Sequence, residues 1–432
     1  MEQDVFIPQW VLGNGKINEN LFCKTFLELH PMVCVEGTFF NSQGRIRDMG
    51  KLRQLIYALL MPYIHSGISK KVDAMISALQ LYAYREQLPQ EETTIHVANG
   101  SYDLCRGYDP AFVCCRCRLP VRYNRDAPEP RRWLSFLQEL LEEEDIDTLQ
   151  EYMGYCLIPT TRAQKMLMII GDGGEGKSRI GVVMKALLGD NLTTGSLTKL
   201  ENSRFAVADL EHQLLFLDDD MQMEALTQTG HIKTIVTAEL PMDIERKGIQ
   251  SYQGAVHARL MAFGNGSLRA LHDRSHGFFR RQIILTTRPK NPNRVDDPFL
   301  ADALLEEIEG IFLWCLEGLY RLYCHSYRFT LSSQTRENLQ QAISEGNNVL
   351  SFMESQSYFV FDSNGSITSR SLYGLYQDWC ADNLLTALSS GSFISALRMH
   401  EQRWGIRYSK KIPAPGGKQA RGFRGLRSCS GL

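Results

Sequence analysis

An eight-residue glycine-rich segment, Gly171 to Ser178, constrains the fold of this chain more than any other feature. The segment reads GDGGEGKS and fits G-x(4)-G-K-[ST] at every fixed position. The apolar run KMLMII precedes it and the helical pattern RIGVVMKALLGD follows it, so the segment is predicted to join a buried strand to a helix. Because glycine tolerates positive φ, Gly173, Gly174 and Gly176 can turn backbone N–H groups inward around an anion. An ordinary glycine-rich turn would not need a strand, a lysine, a serine and a helix in this order.

The segment is predicted to bind a nucleoside triphosphate, and each of its parts has a separate task in that binding. Loop N–H groups and the helix N-terminus would bind the β-phosphate, Lys177 would reach the β- and γ-oxygens, and Ser178 would ligate Mg²⁺. ATP and Mg²⁺ are therefore the expected cofactors. The residues predicted to bind the nucleotide are Gly171, Asp172, Gly173, Gly174, Glu175, Gly176, Lys177, Ser178 and Arg179.

Polar residues also follow two later apolar runs. The run LLFL ends in Asp218, Asp219 and Asp220, whose charges would repel one another strongly unless a cation lies nearby. We assign Asp218 to Mg²⁺ and Asp219 to the attacking water. The run LMAFG ends in Asn265, which can hydrogen-bond the attacking water or the γ-phosphate, although a simple turn asparagine would look the same.

Two arginines, Arg280 and Arg281, precede the apolar run QIILTT. A guanidinium can neutralise charge that develops on the γ-phosphate during hydrolysis. If a neighbouring subunit supplied it, hydrolysis would be coupled to a ring. The alternative is a pair of surface arginines.

The apolar runs between residues 165 and 325 alternate with helical patterns, which is typical of an α/β fold with a parallel sheet. A hairpin with a turn at Asn99-Gly100 is predicted upstream. Around it lie helical patterns in MGKLRQLIYALLMPYI and RRWLSFLQELLEEEDIDTLQEYMGYCL, and the acidic run Glu142 to Asp145 is predicted to be a solvated face or turn. Downstream, ALLEEIEGIFLWCLEGLYRLY predicts one long helix, SSQTRENLQQAISEGNN a polar connector, and SRSLYGLYQDWCADN and SGSFISALRMHEQRW two further helices before a β-like tail. The predicted domains are 1–125, 126–163, 164–328 and 335–432.

The C-terminal tail is the most basic part of the chain. The whole protein has a formal net charge of -2, so any nucleic-acid contact must rely on local patches. No acidic residue follows Glu401, and Gly416-Gly417 could form the turn of a basic wing. Such a patch would neutralise phosphates without recognising sequence, unless the tail is disordered. Its basic residues are Arg403, Arg407, Lys410, Lys411, Lys418, Arg421, Arg424 and Arg427.

Eleven cysteines are scattered along the chain, and four of them, Cys105, Cys114, Cys115 and Cys117, form a cluster. The cluster lacks the second pair of ligands that structural zinc sites show. The segment AFVCCRCRLPVRY alternates like a strand, which favours a buried or edge strand over a metal site. No apolar run is long enough for a membrane helix, and the N-terminus is acidic, so we expect a cytosolic protein with no membrane partner.

The order GDGGEGKS, LLFLDDD, LMAFGNGS and FFRR resembles that of the superfamily-three helicases, and most closely their phage, plasmid and poxvirus primase-helicase branch. The likeness extends upstream to IHVANGSYDL and downstream to LYGLYQDWCADN and the basic tail, covering roughly residues 95–430. It implies an AAA+-like P-loop ATPase core, an N-terminal mixed α/β region, a helical collar-like lead-in and a C-terminal winged-helix domain.

The resemblance also implies partners and DNA contacts. It implies a homo-hexameric ring that moves along single-stranded DNA, unwinds forked DNA and works with a separate primase or polymerase in replication of a mobile element. A β-hairpin between the second and third motifs would carry a basic residue into the pore. By position Lys247 is the best candidate, Arg246 is next, and Lys233 is similar to an earlier lysine of that region; a solvated basic turn is the alternative.

The chain departs from the pattern of this branch in three ways. It has aspartate where the branch often has a catalytic glutamate, and it has Gly-Ser-Leu after Asn265 where many members have a nearby proline. The stretch ahead of the motor is too short for a complete primase domain, so primase activity is not expected. Two other functions stay open: a P-loop ATPase that loads or remodels a protein, and a small-molecule kinase, which would not need Asn265, the arginine pair or the basic tail.

Overall fold

The computed structural model describes residues 8–12, 16–88, 92–221, 229–265, 276–290, 297–346, 348–383, 385, 387–414 and 418–429. The chain divides into two compact units. The first contains the described residues within 1–223, 229–267 and 280–335, and the second contains those within 224–228, 268–279 and 336–432.

Small antiparallel sheets and three helices make up the described part of the N-terminal region. Polar caps fix two helix starts: the Asn18 side chain accepts a hydrogen bond from Leu21 N at 3.2 Å, and the Asp48 side chain accepts one from Lys51 N at 3.2 Å. The elements are β1 (Val11–Leu12), β2 (Lys16–Ile17), α1 (Glu19–Leu29), β3 (Met32–Val35), β4 (Thr38–Asn41), β5 (Gly44–Arg45), α2 (Met49–Leu60), α3 (Ile68–Tyr82), β6 (Thr94–Val97), β7 (Gly100–Asp103) and β8 (Gly107–Asp109). The predicted helix at residue 49 and the predicted hairpin of β6 and β7 are confirmed.

The central region alternates strands and helices as predicted. Its elements are α4 (Arg131–Leu140), α5 (Glu143–Tyr155), β9 (Met166–Ile170), α6 (Ser178–Leu188), β10 (Leu192–Thr194), α7 (Leu197–Asn202), β11 (Leu215–Met221), α8 (Gly230–Thr237), β12 (Met242–Arg246), β13 (Ile249–Gly254), β14 (Arg259–Gly264), α9 (His276–Phe279), β15 (Gln282–Thr286), α10 (Leu300–Glu306) and α11 (Ile308–Cys324). Within the described residues, five strands form a parallel sheet in the order β10-β11-β14-β9-β15. Every residue of β9 and β14 is buried, as expected for strands covered on both faces.

Helices α5 and α11 pack at very short range. A Cβ built on Gly154 would lie 2.3 Å from Cys315 O, and one built on Gly318 would lie 2.5 Å from Gln150 O. The two glycines therefore let the helix backbones approach closely. Arg321 of α11 also forms an ion pair with the fully buried Glu151 of α5 at 2.7 Å.

The second unit is built around its own apolar core. Its described elements beyond residue 336 form a three-stranded antiparallel sheet, in the order β16-β18-β17, with helices packed against it. The elements of the C-terminal part of the chain are α12 (Ser333–Gly346), α13 (Asn348–Ser355), β16 (Phe359–Thr368), α14 (Ser369–Asp382), α15 (Ser390–Met399), α16 (Glu401–Trp404), β17 (Arg407–Ala414) and β18 (Lys418–Ser428).

Several sequence predictions are wrong in detail. The supposed polar connector contains α12, the single long helix is divided into α10 and α11, and residues 111–118 contain only isolated bridges at Cys117 and Arg118. Asp145 is not solvated but fully buried, because its carboxylate accepts hydrogen bonds from the Ser332 and Thr335 hydroxyls at 2.6 and 2.8 Å.

In the part of the chain that the structure describes, no three His, Cys, Asp or Glu residues are grouped to hold a metal ion.

Candidate nucleotide site

The glycine-rich loop connects β9 to α6 at the edge of the parallel sheet where the strands end. The φ angles of Gly173, Gly174 and Gly176 are 107°, 82° and 107°, so the predicted left-handed turns are confirmed. A residue with a Cβ atom would be strained at these positions. The loop ends at Ser178, the first residue of α6.

A cavity of about 590 Å³ opens above this loop. Its wall brings together the loop, the end of β11, the end of β14 and the start of α10. The lining residues are Gly173, Gly174, Glu175, Gly176, Lys177, Ser178, Arg179, Asp219, Asp220, Phe263, Gly264, Asn265, Asp297, Pro298 and Leu300. Gly171 and Asp172 come just before this wall, and Asp218 is also outside it.

Lys177 is buried in this wall and held by an acid from its own loop. Its Nζ atom donates to Glu175 Oε2 at 2.8 Å, and Glu175 Oε1 accepts a hydrogen bond from Gly173 N at 2.6 Å. Burial raises the pKa of Glu175, but the hydrogen bonds from Lys177 and Gly173 outweigh it and hold the pKa below its usual value. The carboxylate therefore stays ionised beside the lysine that was predicted to bind phosphate.

The three aspartates at the end of β11 are in different environments. Asp219 and Asp220 are exposed in the cavity wall, and Asp219 Oδ1 lies 3.8 Å from the position that a Cβ would take on Gly181 of α6. Asp218 is 5% exposed, and its Oδ2 accepts a hydrogen bond from Leu197 N at 2.7 Å. The geometry thus favours Asp219, rather than Asp218, as the carboxylate that could share a cation with Ser178.

Burial is the largest influence on the Asp218 carboxyl, and it raises the pKa. The charges of Asp220 and Asp219 act in the same direction, whereas hydrogen bonds from the backbone N–H groups of Leu197 and Asp220 lower the pKa. The net effect is a raised pKa, in keeping with crowding of carboxylates at one strand end.

Asn265 follows β14, the strand between β9 and β11. Its Nδ2 atom is 3.8 Å from the position that a Cβ would take on Gly173. Asn265, Lys177 and Asp219 therefore converge on one cavity, although they are separated by tens of residues in the chain.

The arginine pair lies at the opposite edge of the sheet. Arg281 precedes β15, and Gln282 at the start of that strand pairs with Met166 at the start of β9. The glycine loop follows the other end of β9, roughly 13 Å further along at about 3.3 Å per residue. Arg280 is exposed, and its carbonyl accepts a hydrogen bond from Lys165 Nζ. Neither arginine lies in the wall of the cavity.

A β-hairpin is present between the second and third motifs, where the resemblance implies one. Strands β12 and β13 pair antiparallel, and Lys247 lies exposed in the turn beside Gly248, whose φ is 77°. Arg246 is half-buried and donates to Glu211 Oε2 at 2.6 Å, and Lys233 is half-buried on α8. The hairpin therefore presents Lys247 to solvent and keeps Arg246 against the protein.

The basic tail forms β17 and β18 of the second unit. Arg407 and Arg424 lie opposite each other in these strands and both are exposed, whereas Arg427 forms an ion pair with Asp362 at 3.2 Å. Like charges in directly opposed positions repel, and an anion bound between them would relieve that repulsion. Gly416-Gly417, the predicted wing turn, is outside the described residues.

Sequence reasoning missed two features of the site. Glu175 was assigned to the loop but not as the ion-pair partner of Lys177, although an acid two residues before the lysine is visible in GDGGEGKS. Asp297, which forms an ion pair with Arg132 at 3.0 Å, belongs to no motif and could not have been found from the sequence. None of the helices in the described part of the chain combines the length and the apolar character that a bilayer-spanning helix needs.

Comparisons with known proteins support the fold but do not name an activity. Residues 169–281 match a family model described as a family of unknown function, DUF5906. No curated protein matches the chain. A solved structure, the A form of the apo NrS-1 C-terminal region, matches with a TM-score of 0.55 at 10% identity, over 93% of this chain and 98% of that one. Two other apo structures of this region each give 0.53, at 10% and 11% identity, over 94% of this chain and 99% of theirs. Such low identity establishes a shared fold only.

Proposed function

We propose that this chain is an ATP-hydrolysing, ring-forming DNA helicase of the superfamily-three type, acting in the replication of a phage, plasmid or other mobile element. The observation that carries the proposal is the convergence of Lys177, Ser178, Asp219 and Asn265 on one cavity lined by a glycine loop with positive φ angles. These residue types match the tasks of phosphate binding, cation binding and water orientation in phosphoryl transfer.

Different residues around the cavity would have different roles in ATP hydrolysis. Lys177 would leave Glu175 and bind the β- and γ-oxygens, while the loop N–H groups hold the β-phosphate. Ser178 and Asp219 would hold Mg²⁺, which supplies neutralisation of the phosphate charge when bound. Asp220 would accept a proton from the attacking water, and Asn265 would orient that water.

The order of the strands supports an AAA+-like P-loop core. In this sheet β14 lies between β9, which leads into the glycine loop, and β11, which ends in the aspartates. Because β14 lies between these two strands, Asn265 lies between the loop and the carboxylates, where a residue that responds to the γ-phosphate is needed. The three-stranded antiparallel sheet and helices of the second unit similarly support a winged-helix-like domain.

The position of the arginines supports a ring. Because Arg280 and Arg281 lie at the sheet edge opposite to the loop, they cannot reach the phosphates of their own subunit. They are suited to complete the site of a neighbouring subunit, as arginine fingers do. A homo-hexamer that closes head to tail would place one arginine pair at each site.

Basic groups in two places support DNA as the substrate. Lys247 at the hairpin tip would face the pore of such a ring, and the pair Arg407 and Arg424 offers a phosphate site on the C-terminal sheet. Contacts of this kind recognise the backbone and not the sequence. A protein-remodelling ATPase would share the nucleotide site but would not need these groups.

The test is displacement of a labelled strand from forked DNA in the presence of ATP and Mg²⁺. We expect unwinding by the wild type and none by Arg280→Ala. Mixing Arg280→Ala with Lys177→Ala subunits should restore part of the ATPase activity, because some interfaces in mixed rings then combine an intact loop with an intact arginine. Absence of unwinding despite DNA-stimulated ATP turnover would favour the remodelling ATPase.

A further inference from the structure

We propose that Glu201 is a positioning residue that couples the aspartate-bearing strand β11 to the DNA hairpin β12–β13. The inference rests on the proposed function, because it concerns how DNA at the hairpin controls hydrolysis at the cavity. It is carried by three buried carboxylates, each of which joins two neighbouring elements by hydrogen bonds.

The first connection joins β11 to α7. The Asp218 carboxylate does not line the nucleotide cavity; its Oδ2 atom accepts a hydrogen bond from Leu197 N, the first residue of α7, at 2.7 Å. Asp218 is 5% exposed, so water does not compete effectively for this bond. A shift of the strand end that carries Asp219 would therefore move the start of α7.

The second connection joins α7 to α8. Glu201, near the end of α7, is 4% exposed, and its two carboxylate oxygens accept hydrogen bonds from His231 N at 3.2 Å and Ile232 N at 2.9 Å. These N–H groups belong to the first turn of α8, where a helix lacks internal partners and favours negative charge. A carboxylate that accepts two backbone N–H groups is a stronger link than a neutral side chain would be.

The third connection holds the hairpin to the start of β11. Helix α8 leads within a few residues into β12, and the hairpin is held at Glu211, four residues before Leu215 begins β11. Glu211 Oε2 accepts hydrogen bonds from Arg246 of β12 at 2.6 Å and from the Tyr252 hydroxyl of β13 at 2.7 Å. One carboxylate thus holds both strands of the hairpin.

Together the three carboxylates close a circuit from β11 through α7, α8 and the hairpin back to β11. Asp218 adjoins Asp219 of the cavity wall in β11, and Glu211 contacts both strands of the hairpin, whereas Glu201 has neither connection. Its removal should therefore separate the cavity from the hairpin without altering either. Occupation of the nucleotide site would then no longer move the hairpin, and DNA on the hairpin would no longer speed hydrolysis.

The experiment measures steady-state ATPase kcat and KM, with and without single-stranded DNA, for the wild type, Glu201→Ala and Glu201→Gln. We expect Glu201→Ala to reduce the ratio of DNA-stimulated to basal kcat by about fivefold, with KM for ATP changed by less than about threefold. Glu201→Gln keeps an acceptor oxygen and should recover part of the ratio. Glu317→Ala is the matched control, because Glu317 is an exposed glutamate of α11 and lies outside the circuit.

Thermal midpoints and DNA affinity by fluorescence anisotropy complete the test. A purely structural role for Glu201 would lower basal kcat and the thermal midpoint together and leave the stimulation ratio unchanged, and that result would overturn the inference. Wild-type stimulation in both Glu201 variants would overturn it as well. If Glu201→Ala does not fold, Glu201→Gln decides, because a ratio equal to that of the wild type contradicts the coupling. Failure of the proposed function would look different: the wild type itself would show no stimulation by DNA.

Discussion

Glu175 offers the sharpest prediction for the nucleotide site. Its carboxylate is 3% exposed and is held by Lys177 Nζ at 2.8 Å and by Gly173 N at 2.6 Å. A triphosphate that binds Lys177 must break the first of these bonds and then remain near the displaced charge. Glu175→Gln removes the negative charge but keeps an oxygen that can accept the hydrogen bond from Gly173 N.

The size of the effect follows from the repulsion between the carboxylate and the phosphates. Two unit charges about 8 Å apart interact by about 2 kcal/mol at an effective dielectric constant of about 20, and solvent in the open cavity weakens this. Glu175→Gln should therefore tighten nucleotide binding by about 1–2 kcal/mol, or about 5- to 30-fold. A nearby carboxylate provides the control: Asp172→Asn, in the same loop but exposed and outside the cavity wall, should change the affinity by less than about twofold.

The assay is titration with a fluorescent ATP analogue and Mg²⁺, followed by anisotropy, at fixed pH and ionic strength. A Glu175→Gln variant that binds nucleotide several-fold more weakly than the wild type would refute this reasoning. The carboxylate would then serve to organise the loop for phosphate and would not compete with it.

Three further predictions concern DNA, pH and packing. Lys247→Ala should weaken binding of single-stranded DNA and lower the salt dependence of the affinity, measured by anisotropy at several salt concentrations, whereas Lys70→Ala on α3 should do neither. Burial lowers the pKa of His257 to about 4. At a pH between this value and about 6.5, the imidazole is therefore protonated in the unfolded chain and neutral in the folded chain. The free energy of unfolding should therefore fall as the pH drops from about 6.5 towards 4, and His257→Gln should flatten that slope in urea titrations. Gly154→Ala should destabilise the first unit by about 1–3 kcal/mol because its Cβ would meet the backbone of α11, while Gly374→Ala, with open space around it on α14, should be neutral or stabilising in the same titrations.

The sequence predicted the sheet well because its strands carry an unambiguous signal. Most residues of β9, β14 and β15 are apolar and buried, and turn or polar residues end each run. In parallel strands those ends meet at one edge, so the approach of Lys177, Asp219 and Asn265 could be expected from motif order alone.

The sequence failed where burial depends on polar partners. Helix α12 looked like a connector because its mean character is polar, yet its first turn is fixed by contacts of Ser332 and Thr335 with Asp145. The same contacts explain why Asp145, predicted to be solvated, is buried. Such contacts join residues that are nearly two hundred positions apart, and no local pattern indicates them.

The sequence also did not predict which of the three aspartates face the cavity. Residues Asp218 to Asp220 are chemically identical, and alternation along a strand would place neighbours on opposite faces. An irregularity in the pairing of β11 with β14 between Asp218 and Met221 alters that alternation and leaves Asp219 and Asp220 together in the cavity wall. This irregularity arises from strand pairing in the folded sheet, and the sequence of three aspartates does not indicate it.

ATP turnover with and without single-stranded DNA, compared between the wild type and Lys177→Ala, tests the central claim most directly. A DNA-driven motor built on this cavity should hydrolyse ATP faster when DNA is present and should lose nearly all turnover when Lys177 is replaced. Equal turnover with and without DNA would contradict the helicase assignment, and full activity in Lys177→Ala would show that the cavity is not the site of hydrolysis.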